Sequence, residues 1–233
     1  MPKTVRHQQL TSRTLINTVT LLVTAAASFG IATAPPAIAD AQCGPGRPPP
    51  GATSKDVSAA YGEPATLWIS DTVVGIVTAR GYGGAQIHSP SPLQRSALLI
   101  DAQQDGNHQI IVDTGREAIL YAVSGCAISP VVDQRGEPFR FDLGHRRGNG
   151  DGIGCSDLGE GRRLVGLLQQ HDDQHDPLLT VRRTEIDLNG AMATIGRSDT
   201  VTATSVQDPV WSTAGGISCG DMTMQRDGVR APY

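Results

Sequence analysis

Aromatic residues are scarce in this sequence, with two Trp, four Tyr and three Phe among 233 residues. So few flat rings leave few platforms for stacking sugars or bases. Trp68 and Trp211 are the best candidates, with core packing as the competing role for both. An excess of positive charge is also missing: 19 Lys and Arg face 23 Asp and Glu, for a net charge of −4. An acidic chain has no electrostatic footprint for nucleic acid or for an anionic membrane surface, and neither is expected as a partner. The signatures of common enzymes are lacking too. There is no Gly-x-Ser-x-Gly, no His-Glu-x-x-His, no phosphate-binding Walker loop and no Gly-x-Gly-x-x-Gly after a strand. The four cysteines include no Cys-x-x-Cys spacing, so zinc and redox chemistry find no support.

The amino terminus has the three parts of an export signal. Lys3, Arg6 and Arg13 form a positive head, Leu15 to Ala34 carries no charge, and Ala37-Ile38-Ala39 is a small-x-small cleavage pattern after Pro35-Pro36. A membrane anchor is the competing reading. Asn17, Thr18, Thr20, Thr24, Ser28 and Thr33 make the segment too polar to favour it. Residues 1–39 are therefore expected to be removed, leaving a secreted or envelope-located chain that begins near Asp40 and has no membrane span. Its loss removes three basic residues and no acidic one, so the exported part is more acidic still. All four cysteines, Cys43, Cys126, Cys155 and Cys219, lie in that part. In an oxidising compartment they imply two disulfides, with three pairings possible. The expected pairs are Cys126–Cys155 and Cys43–Cys219, the second tying the two ends together.

Residues 40–53 are rich in Gly and Pro and read as an extended leader. From there on, short Val-, Ile- and Leu-rich runs alternate with Gly-, Asp-, Asn- and Pro-bearing turns, the pattern of an antiparallel all-β chain. The runs are 67–69, 73–78, 97–100, 109–112, 118–123, 128–132, 139–143, 164–168, 178–186 and 201–205. Helical promise is confined to Ser54–Tyr61, and Gln169–Asp176 reads as a polar hairpin loop. A single β-rich domain over 54–233 is the expected organisation.

Laid against itself, the middle of the chain repeats weakly. The run Leu98-Leu99-Ile100-Asp101, an acidic Gly-bearing loop and Ile110-Ile111-Val112 form one copy. Cys155-Ser156-Asp157, Gly159-Glu160-Gly161 and Leu164-Val165 form a second, and Ile186-Asp187-Leu188-Asn189-Gly190 begins a third. Asp101-x-Gln103-x-Asp105-Gly106-Asn107-x-Gln109 has the spacing of an oxygen-ligand calcium loop. At this point the sequence resembles the FG-GAP, or VCBS-type, repeat, in which an apolar strand, an Asp-rich loop and a second strand open a four-stranded propeller blade. The resemblance covers roughly 97–196, with 65–90 as a degenerate further unit. It implies an all-β antiparallel fold of propeller-blade-like repeats, forming a partial propeller or a twisted sheet stapled by disulfides. It also implies calcium as the candidate ligand of Asp101, Gln103, Asp105, Asn107 and Gln109. The chain departs from the pattern at Gln103 and Gln109, where the family carries carboxylates. That loss points to weak calcium affinity at most.

Other acidic groups offer lesser candidates. His171 and His175 stand among Asp172, Asp173 and Asp176, and Asp133, Glu137 and Asp151 are loop carboxylates. The expected function is a secreted, non-enzymatic β-domain that binds an extracellular or envelope ligand, protein or glycan. The alternative is an envelope hydrolase that uses the acidic loops. The two differ in whether loop carboxylates converge in one deep pocket.

Overall fold

A computed structural model describes residues 43–143, 151–172 and 176–233. The export-signal reading falls on residues outside this set. Within it the chain is antiparallel β-structure, as the short apolar runs require. The first sheet is a meander of β1 (Thr53–Asp56), β2 (Ala65–Ile69), β3 (Val73–Thr78) and β4 (Gly81–Gln86). The second holds β5 (Ser96–Ile100), β6 (His108–Asp113), β7 (Glu117–Ser124) and β8 (Ala127–Pro130). Short strands β9 (Arg140–Asp142) and β16 (Val229–Arg230) pair with β7 and β5 of this sheet. The third is a longer meander of β10 (Asp151–Asp157), β11 (Arg162–Asp172), β12 (Asp176–Asn189) and β13 (Met192–Ala203). Helices are single turns: α1 (Ser58–Tyr61), α2 (Pro209–Ser212) and α3 (Met224–Asp227). A small hairpin, β14 (Ser218–Cys219) with β15 (Met222–Thr223), completes the set. Among the described residues these sheets close into no barrel or ring, and no helix is long and apolar enough to cross a membrane.

The second sheet lies at the centre because both of its faces are apolar. Alternate residues of a strand point to opposite faces, and here the alternation divides the core in two. Leu99, Ile110, Val112 and Tyr121 pack with Leu67, Ile69, Val74 and Ile76 of the first sheet. Their neighbours Leu98, Ile100, Ile111 and Leu120 pack with Ile153, Leu164 and Ile186 of the third. The register keeps the sets separate, pairing Leu99 with Ile110 and Leu98 with Ile111. Continuous runs such as Leu98-Leu99-Ile100 are thus the mark of a strand buried on two faces.

Several expectations need correction. The disulfides are Cys43–Cys126 and Cys155–Cys219, in place of Cys126–Cys155 and Cys43–Cys219. Cys126 lies in the β7–β8 turn, against the leader, whereas Cys155 lies on β10 in another sheet, beside β14. The bridges therefore fasten flanking segments to sheets. Their separations of 83 and 64 residues correspond to about 4–4.5 kcal/mol each of unfolded-state constraint. Two formed disulfides point to an extracytoplasmic compartment. The described part of the leader is docked as well as tethered, because Gly44 and Tyr82 exchange backbone hydrogen bonds of 3.2 and 3.0 Å. The Ser54–Tyr61 segment divides into strand β1 and helix α1, which ends at Gly62 in the left-handed region.

Strand β4 lay hidden behind its glycines. A Cβ on Gly83 would sit 1.8 Å from the Cys126 carbonyl oxygen, so only glycine lets the first sheet approach the β7–β8 turn. Trp68 fills the outer face of that sheet, fully buried, with its ring stacked on Tyr82 at 5.3 Å and 8°. It is a packing residue, and no sugar can reach it.

Candidate groove at the meander ends

Each meander opens with the same device. Its first strand ends at or just before an aspartate that caps the turn which follows. Asp56 accepts from the Ser58 amide at 2.9 Å. Asp101 accepts from Asp105 and Gly106 at 3.2 and 3.0 Å. Asp157 accepts from Gly159 and Gly161 at 2.6 and 3.0 Å. The Asp101 and Asp157 copies of the internal repeat therefore occupy equivalent β5–β6 and β10–β11 connections. The third start does not, since Asp187 lies within β12 and Asn189-Gly190 leads into β13. Amide donors stabilise a charged carboxylate, and those of Ser58 and Gly159 hold Asp56 and Asp157 below the usual carboxylate range.

The Asp101–Gln109 loop brings all five candidate ligands into one turn, as expected, but commits their atoms to other partners. Gln103 Oε1 accepts from the Leu188 amide of the third sheet at 3.2 Å, while its Nε2 faces Asp105 at 3.4 Å. Gln109, almost wholly buried, accepts from Ala102 at 3.1 Å and donates to the Asn107 carbonyl at 2.7 Å. Asn107 donates its backbone and side-chain N–H groups to Asp105, both at 2.9 Å. Burial pushes the Asp105 pKa up, and the bonds from Asn107 and Gln103 outweigh it, leaving the net shift downward. Arg162 of β11 closes the assembly by donating to the carbonyls of Asp101 and Ala102.

These residues make a poor calcium cage. Calcium takes six to eight oxygens, whereas this loop supplies two carboxylates, and both glutamine oxygens and both Asp101 oxygens already accept a backbone N–H group, leaving one lone pair on each. The departures from the repeat pattern have a physical reason. Gln103 and Gln109 must donate as well as accept, which a carboxylate cannot do. Gln103 also reaches across to the third sheet. The loop works as a joint between sheets.

Its far end faces the first sheet. In an up-and-down meander every second connection returns to the same end, and four of these gather here: 57–64, 79–80, 101–107 and 125–126. They enclose a groove of about 400 Å³ lined by Tyr61, Glu63, Arg80, Asn107, His108 and Gly125, among others. The Tyr61 and His108 rings are 4.6 Å apart and tilted by 40°. Tyr61 donates to the Gly125 carbonyl at 2.5 Å. Desolvation, with the nearby Glu63 charge, raises the Tyr61 pKa against the opposing pull of Arg80, so its phenol stays neutral. His108 Nε2 is 3.1 Å from the Ala60 carbonyl, which can only accept, so Nε2 carries the proton in that bond. Among the described residues no hydrogen bond or ion pair engages the Glu63 carboxylate or the Arg80 guanidinium. The Cys43–Cys126 bridge steadies this end, since a Cβ on Gly125 would lie 3.1 Å from Arg80 Cδ and 3.8 Å from Cys43 Sγ.

The other sequence candidates do not assemble. His175 and Asp173 lie outside the described residues, as do the side chains of Asp172 and Asp176; the exposed His171 meets Trp211 edge to face at 6.4 Å. Asp133 caps its own turn, accepting from Arg135 and Glu137 amides at 2.8 and 3.0 Å. Among the described residues, no three His, Cys, Asp or Glu side chains converge as a metal site. Asp151 shares a separate groove of about 350 Å³ with Asp113 and Arg230. No family model matches the chain, and no curated protein or solved structure matches it.

Proposed function

We propose that this chain is an exported, non-catalytic β-domain of blade-like repeats that binds an extracellular or envelope ligand through the groove at the meander ends. The observation that carries this reading is the gathering of four connections from two sheets around an unengaged carboxylate and an unengaged guanidinium. A charged group held on a rigid scaffold without an internal partner is suited to an external one. Catalysis is the alternative. The hydrolase reading rests on Asp113 and Asp151 lining one groove. Affinity capture of envelope and culture-medium components on the exported protein tests the proposal. Capture should be lost with Glu63→Gln plus Arg80→Ala and should persist with Asp151→Asn. Turnover of an envelope polymer that Asp151→Asn abolishes would establish the hydrolase instead.

A further inference from the structure

Resting on the groove as the ligand site, we infer that its ligand is a saccharide carrying a carboxylate, with Arg80 as the carboxylate contact and Glu63 as a hydroxyl contact. Arg80 is pre-positioned because its stem lies over Gly125, where even a Cβ would meet Cδ at 3.1 Å and Nη1 at 3.7 Å. A guanidinium offers two parallel N–H donors matched to the two oxygens of a carboxylate. Among the described residues nothing else engages that guanidinium, so a ligand displaces no internal ion pair.

The remaining groups suit hydroxyls. Glu63 accepts only, and Tyr61 retains acceptor capacity after donating to Gly125. The Asn107 amide nitrogen is held by Asp105, which leaves its carbonyl oxygen as an acceptor. A polyol supplies the matching O–H donors, and a carboxylated sugar supplies both kinds of group in one ring. The volume of about 400 Å³ is at the small end of small-molecule sites, about 300–1,000 Å³. A peptide carboxyl terminus would need an apolar slot for its last side chain. Here the wall includes Gly62, Gly106, Ser124 and Gly125, with Val123 as its aliphatic residue.

The test is calorimetric titration of the exported protein with a glucuronate-containing oligosaccharide, its methyl ester, the matching glucose oligosaccharide and a short acetylated peptide with a free carboxyl terminus. The acid should bind at least tenfold more tightly than the ester or the neutral sugar. Arg80→Ala should abolish that preference, bringing the acid down to the affinity of the neutral sugar, and Glu63→Gln should weaken acid and neutral sugars alike. Arg80 is exposed, so its variant should keep the wild-type melting temperature. Equal binding of acid and neutral sugars, or an undiminished preference in Arg80→Ala, would overturn the carboxylate assignment. If Glu63→Gln still weakened binding in that case, the groove itself would stand. Tighter binding of the peptide would overturn the saccharide class, and no binding of any probe would overturn the inference altogether. Binding that both substitutions leave unchanged would sink the groove reading as well.

Discussion

Gly75→Ala should be far more damaging than a one-carbon change on an all-β scaffold usually is. Its Cβ would lie 2.0 and 2.1 Å from Cζ2 and Cε2 of Trp68, and 2.5 Å from the Gly83 carbonyl oxygen. Carbon atoms in contact sit about 3.5–4.0 Å apart, so the ring must retreat by about 1.5 Å. It has nowhere to go, because Trp68 is fully buried and stacked on Tyr82. A Cβ on Gly84 would lie 3.1 Å from the same ring, so that side is closed too. Overpacking costs about 1–3 kcal/mol, and complete loss of a buried Trp about 3–5 kcal/mol. Removing a glycine from the unfolded chain returns about 0.4–1 kcal/mol. A net loss of about 3 kcal/mol should lower the melting temperature by about 6–12 °C in a domain of this size. Thermal melts followed by tryptophan fluorescence provide the measurement, with Trp68→Leu as a second background. There the penalty of Gly75→Ala should fall by more than half, the contact with the Gly83 carbonyl accounting for the remainder. A drop below 2 °C in the wild-type background, or equal penalties in both, would refute the reasoning.

Further outcomes follow from the joint and its charges. Gln109→Glu removes the donor to the Asn107 carbonyl and buries a carboxyl group, so it should cost about 1–3 kcal/mol in urea denaturation. The loss should be greater at pH 8 than at pH 5, because burial raises the folded pKa of the new acid and neutralises it at low pH. Calcium at 10 mM should leave the melting temperature within 1 °C. A millimolar site would instead add about 1.4 kcal/mol, and a rise abolished by Asp101→Asn with Asp105→Asn would restore the calcium reading. The lowered pKa values of Asp56, Asp133, Asp157, Asp208 and Asp227 mean that their stabilisation is complete above the unfolded value, about 3.9. Stability should therefore hold from pH 8 to pH 5 and fall below about pH 4, as the folded values are crossed; loss already at pH 5–6 would contradict this. Burial first of all raises the Tyr121 pKa to about 12, so absorbance titration should show one tyrosine still neutral at pH 11, with stability declining between about pH 10 and 12.

Strand positions in the centre of the chain were legible because apolar runs bounded by turns need nothing beyond local pattern. Val73–Thr78 matches β3 in full, and 109–112 falls inside β6. What stayed hidden depends on contacts between sheets. Gly81–Gln86 has the composition of a turn, and only the approach to Cys126 and Trp68 explains its glycines as strand residues. The disulfide pairing failed for the same reason, since it depends on which sheet each cysteine borders. Asp101 and Asp157 stand out as a repeat, whereas Asp56 does not, because the connection after it begins as a helical turn with no acidic residue in it. Of the groove, Asn107 alone was a candidate beforehand. Tyr61, Glu63, Arg80 and His108 carry no motif. The signal that could have found them is topological: in successive meanders, alternate connections share an end.

Hydrogen exchange of the protein, with and without a ligand-bearing envelope fraction, tests the central claim most directly. The account predicts slowed amide exchange in 61–63, 79–81, 105–108 and 124–126 together, and no such protection in the Glu63→Gln plus Arg80→Ala variant. Protection confined to the groove of Asp113 and Asp151, or to the outer strands of the third sheet, would contradict it.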